Sequence, residues 1–339
     1  MNATKPIASL SLDLDNHWSY LKTHGDPSWK SLPSYLDVLV PRVLDFLKQR
    51  DLTITFFVVG QDAALPKNRE LLASISAAGH EIGNHSFHHE PWLHLYSEPK
   101  IDAEIAQAEE QIEQATGKRP IGFRGPGYSF SPDTLEVLAR RGYLYDASSL
   151  PTFLGPLARV YYFMTTKLSG EERQQRKILF GTLRDGLRRV RPYRWRFRGS
   201  ELMEIPVTTI PILKLPFHPS YVLYLSGFST SLALSYFRVA MQLCRVTNTR
   251  PSLLLHPLDF LGSDDIHDLG FFPGMQIPRM KKLAVLSEVF RLLAQEYKLT
   301  TMQEHARQEA AVPGLPVVEP SPVRRDTIGW RSETKPHES

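Results

Sequence analysis

The sequence predicts an α/β protein whose parallel sheet is covered by helices, and three observations predict it. Short β-branched or alternating apolar runs recur between stretches with helical spacing. Their connections are short, as a chain of strand and helix crossovers requires. The polar residues with metal or acid–base chemistry stand at predicted strand ends, the rim where parallel α/β folds build sites. The number of units favours a barrel or a large open sheet.

The first strand is residues 7–15, where apolar and polar residues alternate with period two up to Asp13 and Asp15. Residues two apart on a strand share a face, so both acids point one way while Leu12 and Leu14 pack on the other. Two like charges so close call for a cation or a proton between them. Residues 35–49 have helical spacing, with Pro41 expected to kink or restart the helix. Residues 53–59 form a buried strand closing on Gly60, and residues 71–78 a helix ended by Gly79. Residues 98–116 carry an apolar helical stripe at Ile101, Ile105 and Ile112. Then come a strand at 121–123, a helix at 132–141 and a strand at 143–146, and later 204–210 and 252–255 as strands with helices at 229–246 and 280–297. Residues 1–312 read as one domain, and 313–339, rich in Pro, Ser, Thr and charge, as a disordered tail.

The rhythm breaks over residues 153–200. Between Arg159 and Arg198 there are twelve Lys/Arg against three acids, interleaved with Tyr161, Tyr162, Phe163, Phe180, Tyr193, Trp195 and Phe197. The segment reads either as a solvated helical lid with locally packed aromatics or as a surface that meets anionic lipid headgroups. No nucleic-acid motif accompanies these charges, so no nucleic-acid partner is expected.

Composition narrows the chemistry. An apolar fraction of 42% in 339 residues supports a sizeable core, and the net charge of +4 is modest. The single cysteine, Cys244, excludes an internal disulfide and a thiolate zinc site, so a metal would sit on His and Asp/Glu. Absence of a basic-then-apolar leader or a long apolar run places the chain in the cytoplasm, with peripheral contact to the inner membrane surface as an option through 153–200.

His85 and His89 form the strongest ligand-like feature. Four residues apart on a helical turn, they would project from one face. A catalytic zinc commonly has three protein ligands and an open position, so a carboxylate at a buried strand end would complete the set. His88 competes with His89, but the spacing favours His89. Asp13 and Asp15, His85 and His89, Arg124, Asp146 and His256 all fall at predicted strand ends and should converge on one rim.

With those residues in place, the sequence resembles the polysaccharide deacetylases of the NodB-homology, or carbohydrate esterase family 4, type. The resemblance is clearest over residues 7–150 and returns at 204–206 and 253–257. His85, Ser86 and His89 match the family's H-[ST]-x-x-H motif; Asp13 and Asp15 resemble its paired aspartates; Arg124 and Pro126 its R-x-P; and His256 its late histidine. The resemblance implies an irregular (β/α) barrel in which Asp15, His85 and His89 hold a divalent metal, most often Zn2+, with Co2+, Mn2+ and Ni2+ as alternatives. It implies Asp13 as general base, His256 as general acid, Arg124 as the cation orienting Asp13, and the Gly127 N–H as an oxyanion donor. Asp146 would either orient His256 or close a turn. This chain has Asp-Leu-Asp where the family has adjacent aspartates, and Gly127 where it has tyrosine, with Tyr128 next. The implied substrate is an N-acylated amino sugar, acetylated or formylated, free or polyprenyl-phosphate-linked. A same-fold amidohydrolase for a non-sugar amide or cyclic ureide and a non-catalytic carbohydrate- or lipid-binding module are the competing functions.

Overall fold

The computed structural model describes residues 5–155, 183–197 and 199–320. Its strands are β1 (Ile7–Asp13), β2 (Thr55–Val58), β3 (Glu81–Asn84), β4 (Gly122–Phe123), β5 (Tyr145–Asp146), β6 (Tyr193–Phe197), β7 (Ser200–Glu204), β8 (Ser252–Leu255), β9 (Lys298–Thr300) and β10 (Val317–Val318). They join in the order β10-β6-β7-β5-β4-β3-β2-β1-β8, with β9 also on β1. Every pairing is parallel except β6 with β7.

Closure comes from the extended residues that follow β7. Ile205 N donates to Asp146 O and Val207 N to Ser149 O on one side, while Thr208 N donates to Ser252 O on β8 at 2.9 Å on the other. The Thr208 hydroxyl takes the Ser252 N–H in return, at 2.8 Å. The result is the irregular α/β barrel expected. β1 is buried along its whole length because it runs through the centre of the sheet. Helices cover the outside, and Leu10, Leu12, Phe56, Leu253 and Leu255 join one core with the helices Leu36–Lys48 and Arg279–Glu296.

Several expectations need correction. The strand placed at 204–210 is displaced, since β7 ends at Glu204 and residues 205–208 supply the seam. The helix Leu36–Lys48 continues through Pro41, which lies on its exposed side where the freed carbonyl of exposed Asp37 can turn to water. Helices at His17–His24, Pro219–Phe228 and Met302–Ala310 lack a predicted counterpart. The tail boundary at 312 falls early, because Val317 and Val318 pair with Arg194 and Trp195 of β6.

The 153–200 segment also differs from expectation. Residues 156–182, with Tyr161, Tyr162, Phe163 and Phe180, lie outside the described residues. Tyr193, Trp195 and Phe197 are buried in a second core with Leu135, Leu138 and Leu202. They are therefore packing residues, not a lipid-facing surface. Arg194 and Arg196 point the other way and pair with Glu201 of β7, which is the period-two alternation of a half-buried strand.

Candidate functional site

Asp13 is the last residue of β1, and Asp15 lies just past it, where Leu14 N still donates to Phe57 O. Both carboxylates are buried. The Tyr35 hydroxyl donates to Asp15 O at 2.6 Å and fixes the backbone at that turn. The two histidines follow β3, and His85 N extends its pairing by donating to Val58 O.

His85 and His89 do share a site, but not through a helical turn. Residues 85–89 form a bend in which Ser86 (φ 60) and His89 (φ 52) take left-handed conformations. Hydrogen bonds from three sides hold it. Asn84 Oδ1 accepts from Ser86 N; Glu104 Oε2 accepts from Phe87 N and His88 N, both at 3.1 Å; and Gly60 N donates to Ser86 O. A side chain at Gly60 would strike the Ala108 backbone at 2.7 Å, so only glycine lets this loop sit against the helix Glu98–Thr116. His88 turns away to Glu104 Oε1, at 2.5 Å, leaving His89 to face Asp15.

The His85 ring is oriented by Arg124, whose carbonyl lies 2.6 Å from Nδ1. A carbonyl can only accept, so Nδ1 carries the proton and a neutral ring presents its Nε2 lone pair to the site. Asp15 Oδ1 lies 3.4 Å from that Nε2 and 2.8 Å from Nε2 of His89, yet has no aligned donor although it is buried. One ligand atom from each of Asp15, His85 and His89 lies within 4.8 Å of the others. A carboxylate oxygen and two imidazoles converging without a shared donor suit a divalent cation. Burial acts to raise the Asp15 carboxyl, but the imidazoles of His89 and His85 prevail and hold it well below the usual carboxylate range. Burial acts to lower His85, and Asp13 and Asp15 outweigh it, so its pKa rises.

Arg124 follows β4 and is wholly buried. Its Nη1 donates to Asp13 Oδ1 at 2.6 Å and to the Ser11 hydroxyl at 2.9 Å, its Nε to Ala147 O at 3.0 Å, and its guanidinium lies over the Phe57 ring. The other Asp13 oxygen is 3.9 Å from His85 Nε2. Asp13 therefore stands between the guanidinium and the candidate metal ligands. Gly127 occupies a one-turn 3-10 segment, Pro126–Tyr128, with φ 59.

His256 lies one residue beyond the Leu12–Leu255 pair of β1 and β8, next to the end of β1 that carries Asp13. Its Nδ1 is 2.9 Å from the Ser220 hydroxyl, which also reaches Asp259 Oδ2 at 3.1 Å, and the same oxygen takes His256 N–H at 2.8 Å. Asp146 does not orient His256; Ser220 and Asp259 stand there instead. Buried His218 sits beside His256, with its pKa well below the usual value through burial and the neighbouring His256 and Arg124 charges. Sequence reasoning missed Glu104, Ser220, Asp259 and His218. Asp259 alone had a local signal, three residues after His256.

Residues 32–145 match the family model described as polysaccharide deacetylase. That segment is of the polysaccharide deacetylase family. It contains His85, His89 and Arg124, while Asp13, Asp15 and His256 reach the same rim from outside it. Among curated relatives, a peptidoglycan deacetylase of Helicobacter pylori is 33% identical over 112 residues, 33% of this chain and 37% of that protein. The peptidoglycan-N-acetylmuramic acid deacetylase PdaA of Bacillus subtilis is 37% identical over 110 residues, 32% of this chain and 41% of that protein. The matches thus span well under two thirds of either relative. Among solved structures, a putative polysaccharide deacetylase from Mycobacterium smegmatis shares the fold, with 20% identity, a TM-score of 0.56, and coverage of 95% of this chain and 99% of that one.

Proposed function

We propose that the chain is a metal-dependent hydrolase that removes an N-acyl group, acetyl or formyl, from an amino sugar. The observation that carries this reading is the placement of Asp13, held by Arg124, beside the buried Asp15, His85 and His89 cluster. The names of the relatives, which act on peptidoglycan, support a glycan substrate.

Asp15, His85 and His89 would hold the ion, and their one-oxygen, two-nitrogen donor set favours zinc. Bound there, such an ion polarises an amide carbonyl and lowers the pKa of water. Asp13 takes the proton of the attacking water, and Arg124 holds it aimed. The N–H of Gly127 donates to the oxygen that gains charge. His256 gives a proton to the departing amine, with Ser220 and Asp259 fixing its ring.

Tag-free protein, with its His85→Ala and His89→Ala variants, tests the assignment by metal analysis and by acetate and formate release from N-acylated sugars, free and lipid-linked. Both variants should lose bound metal and turnover. Stoichiometric metal retained in both would overturn the ligand set, and no release from any sugar would overturn the substrate class.

A further inference from the structure

Behind Arg124 two carboxyl groups meet, and among the described residues neither has an ion-pair partner. Asp146 ends β5 and Glu204 ends β7, opposite each other in the parallel register, and both are wholly buried. Glu204 Oε1 accepts from Ser149 N at 3.1 Å and Oε2 from the Trp195 indole N–H at 2.7 Å. Asp146 Oδ1 accepts from the Ser148 hydroxyl at 2.6 Å. Its Oδ2 has no donor, while the Glu204 carboxyl lies within hydrogen-bonding reach. Among the described residues the groups that contact the pair are hydroxyls, amides, an indole and each other. Tyr193, across from Glu204 on β6, adds a neutral phenol.

Two facing carboxylates in such surroundings avoid repulsion by sharing one proton. Burial raises both groups and the neighbouring Asp146 raises Glu204 further, which agrees with one proton shared between them. Both Glu204 oxygens accept from N–H groups and Asp146 Oδ1 accepts from Ser148, which leaves Asp146 Oδ2 as the oxygen for which the shared proton is the missing partner. The pair is tied directly to the site: the Ser148 hydroxyl that donates to Asp146 accepts from Gly125 N at 2.8 Å, and Ala147 O accepts from Arg124 Nε.

We propose that Asp146 is a positioning residue that shares one proton with Glu204, and that this acid pair fixes residues 147–149 as the surface against which Arg124 is held. The inference rests on the reading of Arg124 and Asp13 above. It assigns Asp146 to a proton-sharing pair, in place of the orienting of His256, and gives Trp195 of the basic aromatic segment a part in supporting the site.

Asp146→Asn and Asp146→Ala separate the alternatives, because an amide keeps the acceptor for Ser148 and supplies a donor to Glu204. At matched metal content, and with N-acetylglucosamine oligomers as substrate, Asp146→Asn should keep kcat within about threefold. Asp146→Ala should lose about tenfold or more in kcat with KM little changed. The infrared difference between wild type and Asp146→Asn at neutral pH should contain the carbonyl stretch of a protonated carboxylic acid. Equal loss of kcat in both variants would overturn the proposal, because it would make the charge of Asp146 essential. Absence of the infrared band would overturn it too, and that measurement decides the matter even if the protein does not turn over these oligomers.

Discussion

Replacing Arg124 with methionine should be among the most destabilising single changes in this protein. The guanidinium is wholly buried and makes hydrogen bonds to Asp13, Ser11 and Ala147. Methionine approximates its stem and can still pack on Phe57, so cavity formation is a minor part of the loss. The larger part is Asp13, only 5% exposed, left charged without its partner. Removing one member of a buried ion pair typically costs about 3–5 kcal/mol. Urea denaturation in the presence of a chelator measures this without any contribution from metal binding. The same measurement on Asp13→Asn and on the double variant closes a cycle. The double variant should be more stable than Arg124→Met alone by about 1–3 kcal/mol, because the orphaned charge is gone. A cost below about 1 kcal/mol for Arg124→Met, or no recovery in the double variant, would refute the reasoning.

Two further outcomes follow from the surroundings of the site. Glu104→Gln loses one acceptor from the bend carrying His85 and His89, and should weaken metal affinity by about 10–100-fold with little change in melting temperature, as read by competition with a chelator. Asp62 is a different case. Burial pushes its carboxyl up to about 6, although the Asn16 and Trp18 N–H groups both donate to Oδ1. The native state thus binds a proton that the unfolded chain releases at an ordinary carboxylate pKa. Stability should therefore fall as pH rises from about 4 to 6, by up to about 3 kcal/mol, and Asp62→Asn should flatten that slope. Parallel slopes for the two proteins would exclude Asp62 as the cause.

The parts of the fold set by local pattern were legible. β1 announces itself by alternation, β2 by a continuous apolar run, and the helix Glu98–Thr116 by its isoleucine stripe and terminal Gly117. The site residues were legible because chemistry concentrates at strand ends, even where the local geometry was not. The spacing of His85 and His89 suggested a helical turn, but the bend that replaces it depends on Glu104 and Gly60, which have no spacing relation to the histidines. The acid pair was hidden for the same reason, since Asp146 and Glu204 meet only through strand register. Residues 193–197 held a signal that was read for the wrong environment. Alternating Arg and aromatic residues fit a lipid surface, but they fit equally a strand with one face in a core and the other paired to Glu201.

The seam at Thr208 and Ser252 divides the barrel unequally. Asp13, Asp15, His85, His89 and His256 all belong to an unbroken run of paired strands from β3 through β2 and β1 to β8, and Arg124 joins it through β4. The seam lies outside that run, between β8 and the residues that follow β7, and among the described residues is held by one backbone bond and one hydroxyl. The reacting groups are therefore set by the continuously paired side of the wall and not by its closure, so the geometry of the site is fixed by strand register before the barrel is complete.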